Sequence, residues 1–136
     1  MTKDFDIKEF LYSRFYAEAN VQDRVIESYY QDVAVQDNLQ ILAEQLQVLR
    51  DYVAKPVLIN IAYRPFWWEK MRGRKGNSQH CLGKAADIYA PKLTILELYK
   101  AIQGLIAQGK IINGGLGLYN TFIHYDIRQT PARWRK

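Results

Sequence analysis

Residues 37–63 read DNLQILAEQLQVLRDYVAKPVLINIAY, and within this stretch the hydrophobic pattern changes from that of a helix to that of a strand. Apolar residues recur at three- and four-residue steps, which predicts an amphipathic helix with Asp37 as its N-cap. Pro56 ends this helix, and the short β-branched run at 57–63 predicts a strand. Helices followed by strands indicate an α+β protein.

The same two patterns extend from this stretch toward both ends of the chain. Weaker helical patterns lie at 4–19 and 21–35, and a basic, glycine-containing loop is predicted at 66–78. Thr94 and Glu97 form a capping box that opens a helix. Strands are predicted at 84–89, 114–119 and 122–127. We therefore expect N-terminal helices packed on a small, mainly antiparallel sheet that carries the chemistry.

Residues 1–136 are expected to form one domain, with 1–36 as a helical N-terminal extension and 37–136 as the motif-bearing core.

Composition limits the class of protein without deciding its function. The net charge of +5 fits an anionic partner such as nucleic acid or the bacterial wall, and it fits solubility alone. The aromatic content of 13% fits a substrate cleft or ordinary core packing, and this choice stays open for Tyr63, Phe66, Trp67 and Trp68. Cys81 is the single cysteine, which excludes an intrachain disulfide. From the sequence we expect neither a secretory signal nor a membrane-spanning segment.

The two histidines of the chain each have a carboxylate nearby. The first lies in residues 78–87, SQHCLGKAAD, and the second in residues 122–128, FIHYDIR. Two imidazoles and one carboxylate suit catalytic zinc, because they leave a fourth coordination position open for water. Water bound to zinc is a nucleophile for hydrolysis. The residue types alone leave two interpretations, a zinc site and ordinary structural or surface roles.

Strand geometry is compatible with a zinc site and leaves both interpretations open. Side chains at alternate positions share a face, so His124 and Asp126 are expected on one side of the last strand while its apolar residues are buried. Gly83 allows a sharp turn between His80 and Asp87, which would bring both side chains onto one ion.

The spacing within residues 78–87 resembles the Ser-x-His-x-x-Gly-x-Ala-x-Asp signature of the zinc D-alanyl-D-alanine metallopeptidases. That family includes the vancomycin-resistance D,D-dipeptidases, phage endolysins and murein endopeptidases. Residues 114–119, GGLGLY, and residues 122–128 are similar to its short branch in phages and prophages, as are Arg133 and Trp134. The resemblance runs from about Asp37 to the end of the chain.

The resemblance implies a role for each matching residue. One zinc ion would be bound by His80, Asp87 and His124. Arg64 would hold a substrate carbonyl or carboxylate and stabilise the oxyanion, a role that suits a guanidinium. Ser78 would position the substrate or buttress the loop. Without the resemblance, Arg64 would be interpreted as a surface residue at the end of a strand.

The general acid/base is where the chain departs from many relatives. They carry Glu, Asp or His two or three residues before the last ligand, where this chain has Phe122 and Thr121. Asp126 is expected either to orient the ring of His124 or to act as the base. Glu69 in the basic loop is a further candidate.

These features predict a zinc metallopeptidase of the D-Ala-D-Ala carboxypeptidase or murein endopeptidase type. It would hydrolyse a peptide bond in peptidoglycan stem peptides, with a zinc-activated water as nucleophile. The alternative is a catalytically inactive, zinc-containing module that binds the cell wall. A nucleic-acid-binding protein would explain neither histidine motif, and no membrane partner is expected. The protein is expected to be made in the cytoplasm and to reach the wall after lysis, or as part of a virion or injection device.

Overall fold

The computed structural model describes residues 1–136 and contains six α-helices and five β-strands. The helices are α1 (Ile7–Leu11), α2 (Arg14–Glu18), α3 (Gln22–Tyr30), α4 (Val33–Val53), α5 (Phe66–Met71) and α6 (Ile95–Ala107). The strands are β1 (Leu58–Ile61), β2 (Ala85–Tyr89), β3 (Gly115–Leu118), β4 (Ile123–Asp126) and β5 (Ala132–Arg135), and a short 3₁₀ helix spans Gln79–Leu82. None of the helices combines the length and apolar character needed to cross a bilayer.

The strands form one sheet in the order β1–β2–β4–β3–β5. Every neighbouring pair is antiparallel except β3 and β5, which run parallel. The predicted α+β class, with helices first and a small, mainly antiparallel sheet, is therefore confirmed. In this sheet Asp87 of β2 lies directly opposite His124 of β4. Two of the three residues expected to bind metal are thus cross-strand neighbours.

The core lies between the sheet and the long helices. Six side chains of α4 are buried at helical spacing, from Val35 to Leu49, and α6 buries Leu98, Ile102 and Leu105 against them. The first 25 residues belong to the same 26-residue cluster through Phe5, Phe10, Leu11, Tyr16 and Val25. Each fully buried large apolar side chain stabilises the fold by roughly 1.5–3 kcal/mol, so the N-terminal helices contribute substantially to this core.

Helix boundaries in the first half differ from the prediction for local reasons. The long helix begins at Val33, not after Asp37, because the side chain of Asp32 accepts a hydrogen bond from the backbone of Val35 and caps it. The single helix predicted over 4–19 is two short ones. Tyr12 and Ser13 are extended between them, and the Ser13 hydroxyl caps α2.

Helix α5 and strand β5 were absent from the prediction, as was the short 3₁₀ helix. Residues 66–71, predicted as part of a basic loop, form α5, which buries Trp68 and Glu69. Strand β5 is four residues long, and its apolar residues Ala132 and Trp134 alternate with Arg133 and Arg135. Its strand conformation comes from pairing with β3, a contact that a local pattern cannot reveal.

Candidate metal centre

Three side chains from three separate elements converge beside strands β2 and β4, two inner strands of the sheet. His80 comes from the 3₁₀ helix, Asp87 from β2 and His124 from β4, and one ligand atom of each lies within 4.8 Å of the others. Gly83 ends the 3₁₀ helix with φ of +72°, a left-handed conformation that glycine adopts freely. The chain can therefore reverse between His80 and Asp87, and the predicted three-residue cluster is present.

Each imidazole is oriented by a hydrogen bond from the nitrogen that faces away from the cluster. Nδ1 of His80 lies 2.7 Å from the carbonyl oxygen of Ala62, which can only accept, so Nδ1 carries the proton. Nε2 of His80 then faces Asp87 Oδ1 at 3.3 Å. In His124 the arrangement is reversed, with Nε2 2.7 Å from Asp126 Oδ2 and Nδ1 3.1 Å from Asp87 Oδ1. Both rings thus direct a ligand nitrogen toward the same carboxylate.

The donor set fits zinc. Two imidazole nitrogens and one carboxylate oxygen form one of the ligand combinations that zinc takes in catalytic sites. Hydrogen bonds from the distal ring nitrogens to a carbonyl and a carboxylate are the usual means by which such ligands are held in place. His80 and His124 have both features.

Asp126 is fully buried behind His124, with no exposed surface. Its Oδ1 accepts hydrogen bonds from the backbone N–H of Gly115 at 2.9 Å and of Arg128 at 3.0 Å. The Arg128 guanidinium donates to both carboxylate oxygens, at 2.9 Å from Nε to Oδ1 and 2.7 Å from Nη2 to Oδ2. All of its hydrogen-bonding capacity is therefore directed into the protein.

The electrostatics of the cluster favour charged carboxylates. Burial alone would raise the pKa of Asp87, but hydrogen bonds from His124 and His80 hold it well below its usual range. Burial opposes ionisation of Asp126 in the same way, and His124 and Arg128 lower its pKa. For His124, burial would lower the pKa, but the hydrogen bonds to Asp126 and Asp87 raise it above the ordinary value. Both acids are thus ionised at neutral pH, as metal ligation and ring orientation require.

A cleft of about 540 Å³ opens over the cluster. Arg64 and Ser78, the predicted substrate-binding residues, both line it. The remaining walls include Asn77, Gln79, Tyr119, Phe122, Arg128, Trp134 and Lys136. Asp87 is the only carboxylate among the lining side chains. Polar and aromatic walls with a cationic surplus suit an extended polar ligand.

Residues of the C-terminal strand were not assigned to the site from the sequence. Parallel pairing of β5 with β3 places the Trp134 ring 4.9 Å from the His124 ring, and its indole N–H donates to the hydroxyl of Tyr119 at 3.0 Å. Gly117 of β3 leaves the space for this indole, because a Cβ there would overlap it. The glycine within a strand pattern is the one signal in the sequence that indicated a close approach.

Other residues considered from the sequence lie outside the cleft. Glu69 is 2% exposed, and its Oε2 accepts from Arg74 Nη1 at 2.7 Å. Tyr63 and Trp68 are buried in the core, and Trp67 donates to the hydroxyl of Ser28. These aromatic residues therefore pack the fold and do not form a wall of the metal cleft.

Comparison with known proteins agrees with this geometry. A family model described as Peptidase M15 matches residues 11–126 of the chain, which include all three residues of the cluster. The match begins before Asp37, where the motif resemblance starts, and it ends before β5. No curated protein matches the chain.

Proposed function

Because the chain belongs to the peptidase M15 family, we propose that it is a zinc-dependent peptidase that hydrolyses a peptide bond in peptidoglycan stem peptides, at a D-alanyl residue. Family membership makes it a metallopeptidase-type hydrolase with a peptide substrate. The zinc ion and the peptidoglycan substrate are the proposed part. The observation that carries the proposal is the convergence of two imidazole nitrogens and one carboxylate oxygen at the base of an open cleft.

His80, Asp87 and His124 are the proposed ligands of a single zinc ion. When bound, zinc supplies a Lewis acid that polarises a carbonyl group and makes water nucleophilic near neutral pH. The carboxylate of Asp87 partly offsets the charge of the ion. The carbonyl of Ala62 and the carboxylate of Asp126 keep the two rings in the ligating tautomers.

Arg64 is the proposed oxyanion and substrate anchor. Its backbone N–H donates to the carbonyl of His80 at 3.1 Å, which ties its position to that of a metal-binding residue. A guanidinium is a planar cation that can donate to two oxygens at once. It can therefore bind a substrate carbonyl or carboxylate and stabilise charge that develops on the reacting carbonyl oxygen. The hydroxyl of Ser78 is proposed to position the substrate on the same wall.

Asp126 acts, in this proposal, through His124 and not on the substrate. It has no exposed surface and its oxygens already accept from His124, Arg128 and Gly115. A general base must come within hydrogen-bonding reach of the proton that it removes, directly or through one water. The burial of Asp126 therefore favours the orienting role, the first of the two roles expected from the sequence.

Zinc content and cleavage, measured on one preparation, test the proposal. We expect about one zinc per chain and a new D-alanine or stem-peptide fragment by mass spectrometry after incubation with purified wall or stem peptides. Asp87→Asn is the matched control and should lose both zinc and cleavage, since it removes one ligand charge. Zinc without cleavage of any wall substrate would point to the non-catalytic wall-binding module. Absence of zinc would contradict the proposal altogether.

A further inference from the structure

A second, smaller cavity shares Arg64 as a lining residue with the metal cleft. Its volume is about 230 Å³, and three of its lining residues are arginines: Arg64, Arg72 and Arg74. Phe15, Ile61 and Trp68 supply apolar surface between them. Complete small-molecule sites usually occupy about 300–1,000 Å³. This cavity is therefore the size of a subsite for one side chain.

The charge in this cavity is only partly neutralised. Glu69 is the acidic group in contact with the arginines. It pairs with Arg74 at 2.7 Å, and it lies 3.7 Å from Nε of Arg64. Arg72 is exposed and stacks over Trp68, with its guanidinium carbon 5.2 Å from the ring centre. Three guanidinium groups against one carboxylate leave a positive surplus in a space with apolar walls, where an anion is attracted more strongly than in bulk water.

One donor in this region has no partner within the protein. Nε of Arg64 is buried and makes no hydrogen bond, because Glu69 is too far away to accept one. Arg64 also lines the metal cleft, so the two spaces share a wall. A ligand bound across the metal cleft can therefore place a neighbouring group in the smaller cavity.

We propose that this cavity, lined by Arg64, Arg72 and Arg74, is a specificity subsite for an acidic side chain of the peptide substrate. The carboxylate would pair with the guanidinium groups, and its methylene stem would contact Trp68 and Ile61. The inference rests on the proposed peptidase function and adds that the substrate carries a free side-chain carboxylate near the bond that is cut. Arg72 is the main determinant, because Arg74 is already paired with Glu69.

Binding to the metal-free protein tests the subsite without requiring catalysis. The probes are pentapeptides ending in D-Ala-D-Ala, with glutamate or glutamine at each of the first three positions, titrated by NMR. A charge-assisted pair lost from a site of this kind changes affinity by about tenfold or more. We expect one glutamate peptide to bind about tenfold more tightly than its glutamine partner. Arg72→Gln should abolish that difference, and Arg50→Gln, which removes a charge outside both cavities, should preserve it.

Cleavage by the zinc-loaded protein separates this inference from the proposed function. The same glutamate peptide should have a kcat/KM about tenfold above that of its glutamine partner. Arg72→Gln should remove this preference, and Arg50→Gln should preserve it. Equal binding of both peptides to the wild type, or a preference that survives in Arg72→Gln, would overturn the subsite. If neither peptide is cleaved but the binding preference depends on Arg72, the subsite stands and the proposed function fails. Tight binding of inorganic phosphate without a glutamate preference would also overturn it.

Discussion

At the scale of single residues, the two histidines show how neighbouring groups orient the side chains of the candidate metal centre. Each ring donates from one nitrogen to an oxygen outside the cluster and directs the other nitrogen toward Asp87. The partners differ, since His80 uses a backbone carbonyl and His124 uses the carboxylate of Asp126. Mutation of Asp126 can therefore show whether this carboxylate orients the His124 ring or transfers a proton in the reaction.

Asp126→Asn is expected to weaken zinc binding by roughly 10- to 100-fold, the usual effect of losing a group that orients a metal ligand. The amide is uncharged and holds the His124 ring less strongly. Competition with a chelator of known affinity measures the change. Arg128→Gln serves as the control, because it keeps the contact between carboxylate and imidazole and should lose less affinity. Unchanged zinc affinity with a large loss of turnover in Asp126→Asn would assign Asp126 to proton transfer instead.

Arg64→Ala is expected to lower turnover by roughly 100- to 1000-fold, because loss of one oxyanion donor typically has an effect of that size. Zinc content should stay at the wild-type level, since Arg64 does not contact the ion-binding atoms. Steady-state kinetics and metal analysis on the same sample give both numbers. A variant that loses its zinc would show that Arg64 supports the metal centre and not the reaction.

At the scale of elements, strand β3 has glycine at two positions where side chains of neighbouring strands lie close to its backbone. A Cβ at Gly115 would overlap the carboxylate of Asp126, and one at Gly117 would overlap the indole of Trp134. Glycine weakens a strand on its own, so its presence at both positions reflects close approach of other groups. The position of the Asp126 carboxylate and the parallel contact with β5 therefore both depend on the absence of side chains at these two glycines.

Gly117→Ala is expected to destabilise the protein by about 1–3 kcal/mol, the usual range for overpacking a filled site. Gly104→Ala in α6 is the matched control. It has open space around its Cβ position, and alanine there should stabilise the helix by up to about 1 kcal/mol. Denaturant unfolding in the presence of chelator measures both without a contribution from metal. Equal stabilities of the two variants would contradict the close packing of Trp134 on β3.

Helix α6 begins with the predicted capping box, in which the backbone N–H of Thr94 donates to Glu97 at 2.8 Å and the Thr94 hydroxyl accepts from the N–H of Glu97. These hydrogen bonds lower the pKa of Glu97 in the folded state. A lowered pKa means that the ionised form stabilises the fold above the unfolded-state pKa of about 4.3, and that this contribution is lost as the pH falls through the folded-state value.

The difference in unfolding free energy between wild type and Glu97→Gln should therefore be constant near neutral pH and shrink as the pH falls below about 4.3. Glutamine can still occupy the capping position, so the comparison isolates the charge. Urea unfolding at several pH values supplies the measurement. A difference that grows toward acid pH would mean that the pKa of Glu97 is raised on folding.

At the scale of the whole molecule, the N-terminal helices support the segment that carries the site. The backbone carbonyl of Phe10 accepts from the N–H of Tyr63 at 3.0 Å, and the buried hydroxyl of Tyr16 donates to the carbonyl of Tyr63 at 2.7 Å. Tyr63 lies between Ala62, which orients His80, and Arg64. The N-terminal helices thus fix the backbone beside Ala62 and Arg64. Residue 36, the last residue of the expected N-terminal extension, lies inside α4.

Phe10→Ala is expected to destabilise the protein by about 3–5 kcal/mol, as for other buried phenylalanines. Phe10 is 1% exposed, whereas Tyr12 is 50% exposed, so Tyr12→Ala should change stability by no more than about 0.5 kcal/mol. If residues 1–136 unfold as one domain, fluorescence and circular dichroism should report the same single transition in Phe10→Ala. Two separated transitions would indicate that the N-terminal stretch is an independent extension.

The sequence by itself determined the α+β class and the helix that opens at Thr94, because both depend on local periodicity and capping chemistry between residues close together in the chain. The resemblance to a family motif implied the three residues of the cluster, and the sheet brings His124 next to Asp87, 37 residues away. The tertiary structure alone decided that Asp126 is buried, that Trp134 covers His124, and that Arg64 borders two cavities. Each of these follows from contacts between residues far apart in the chain, such as the parallel pairing of β3 with β5, and no local pattern encodes such a contact.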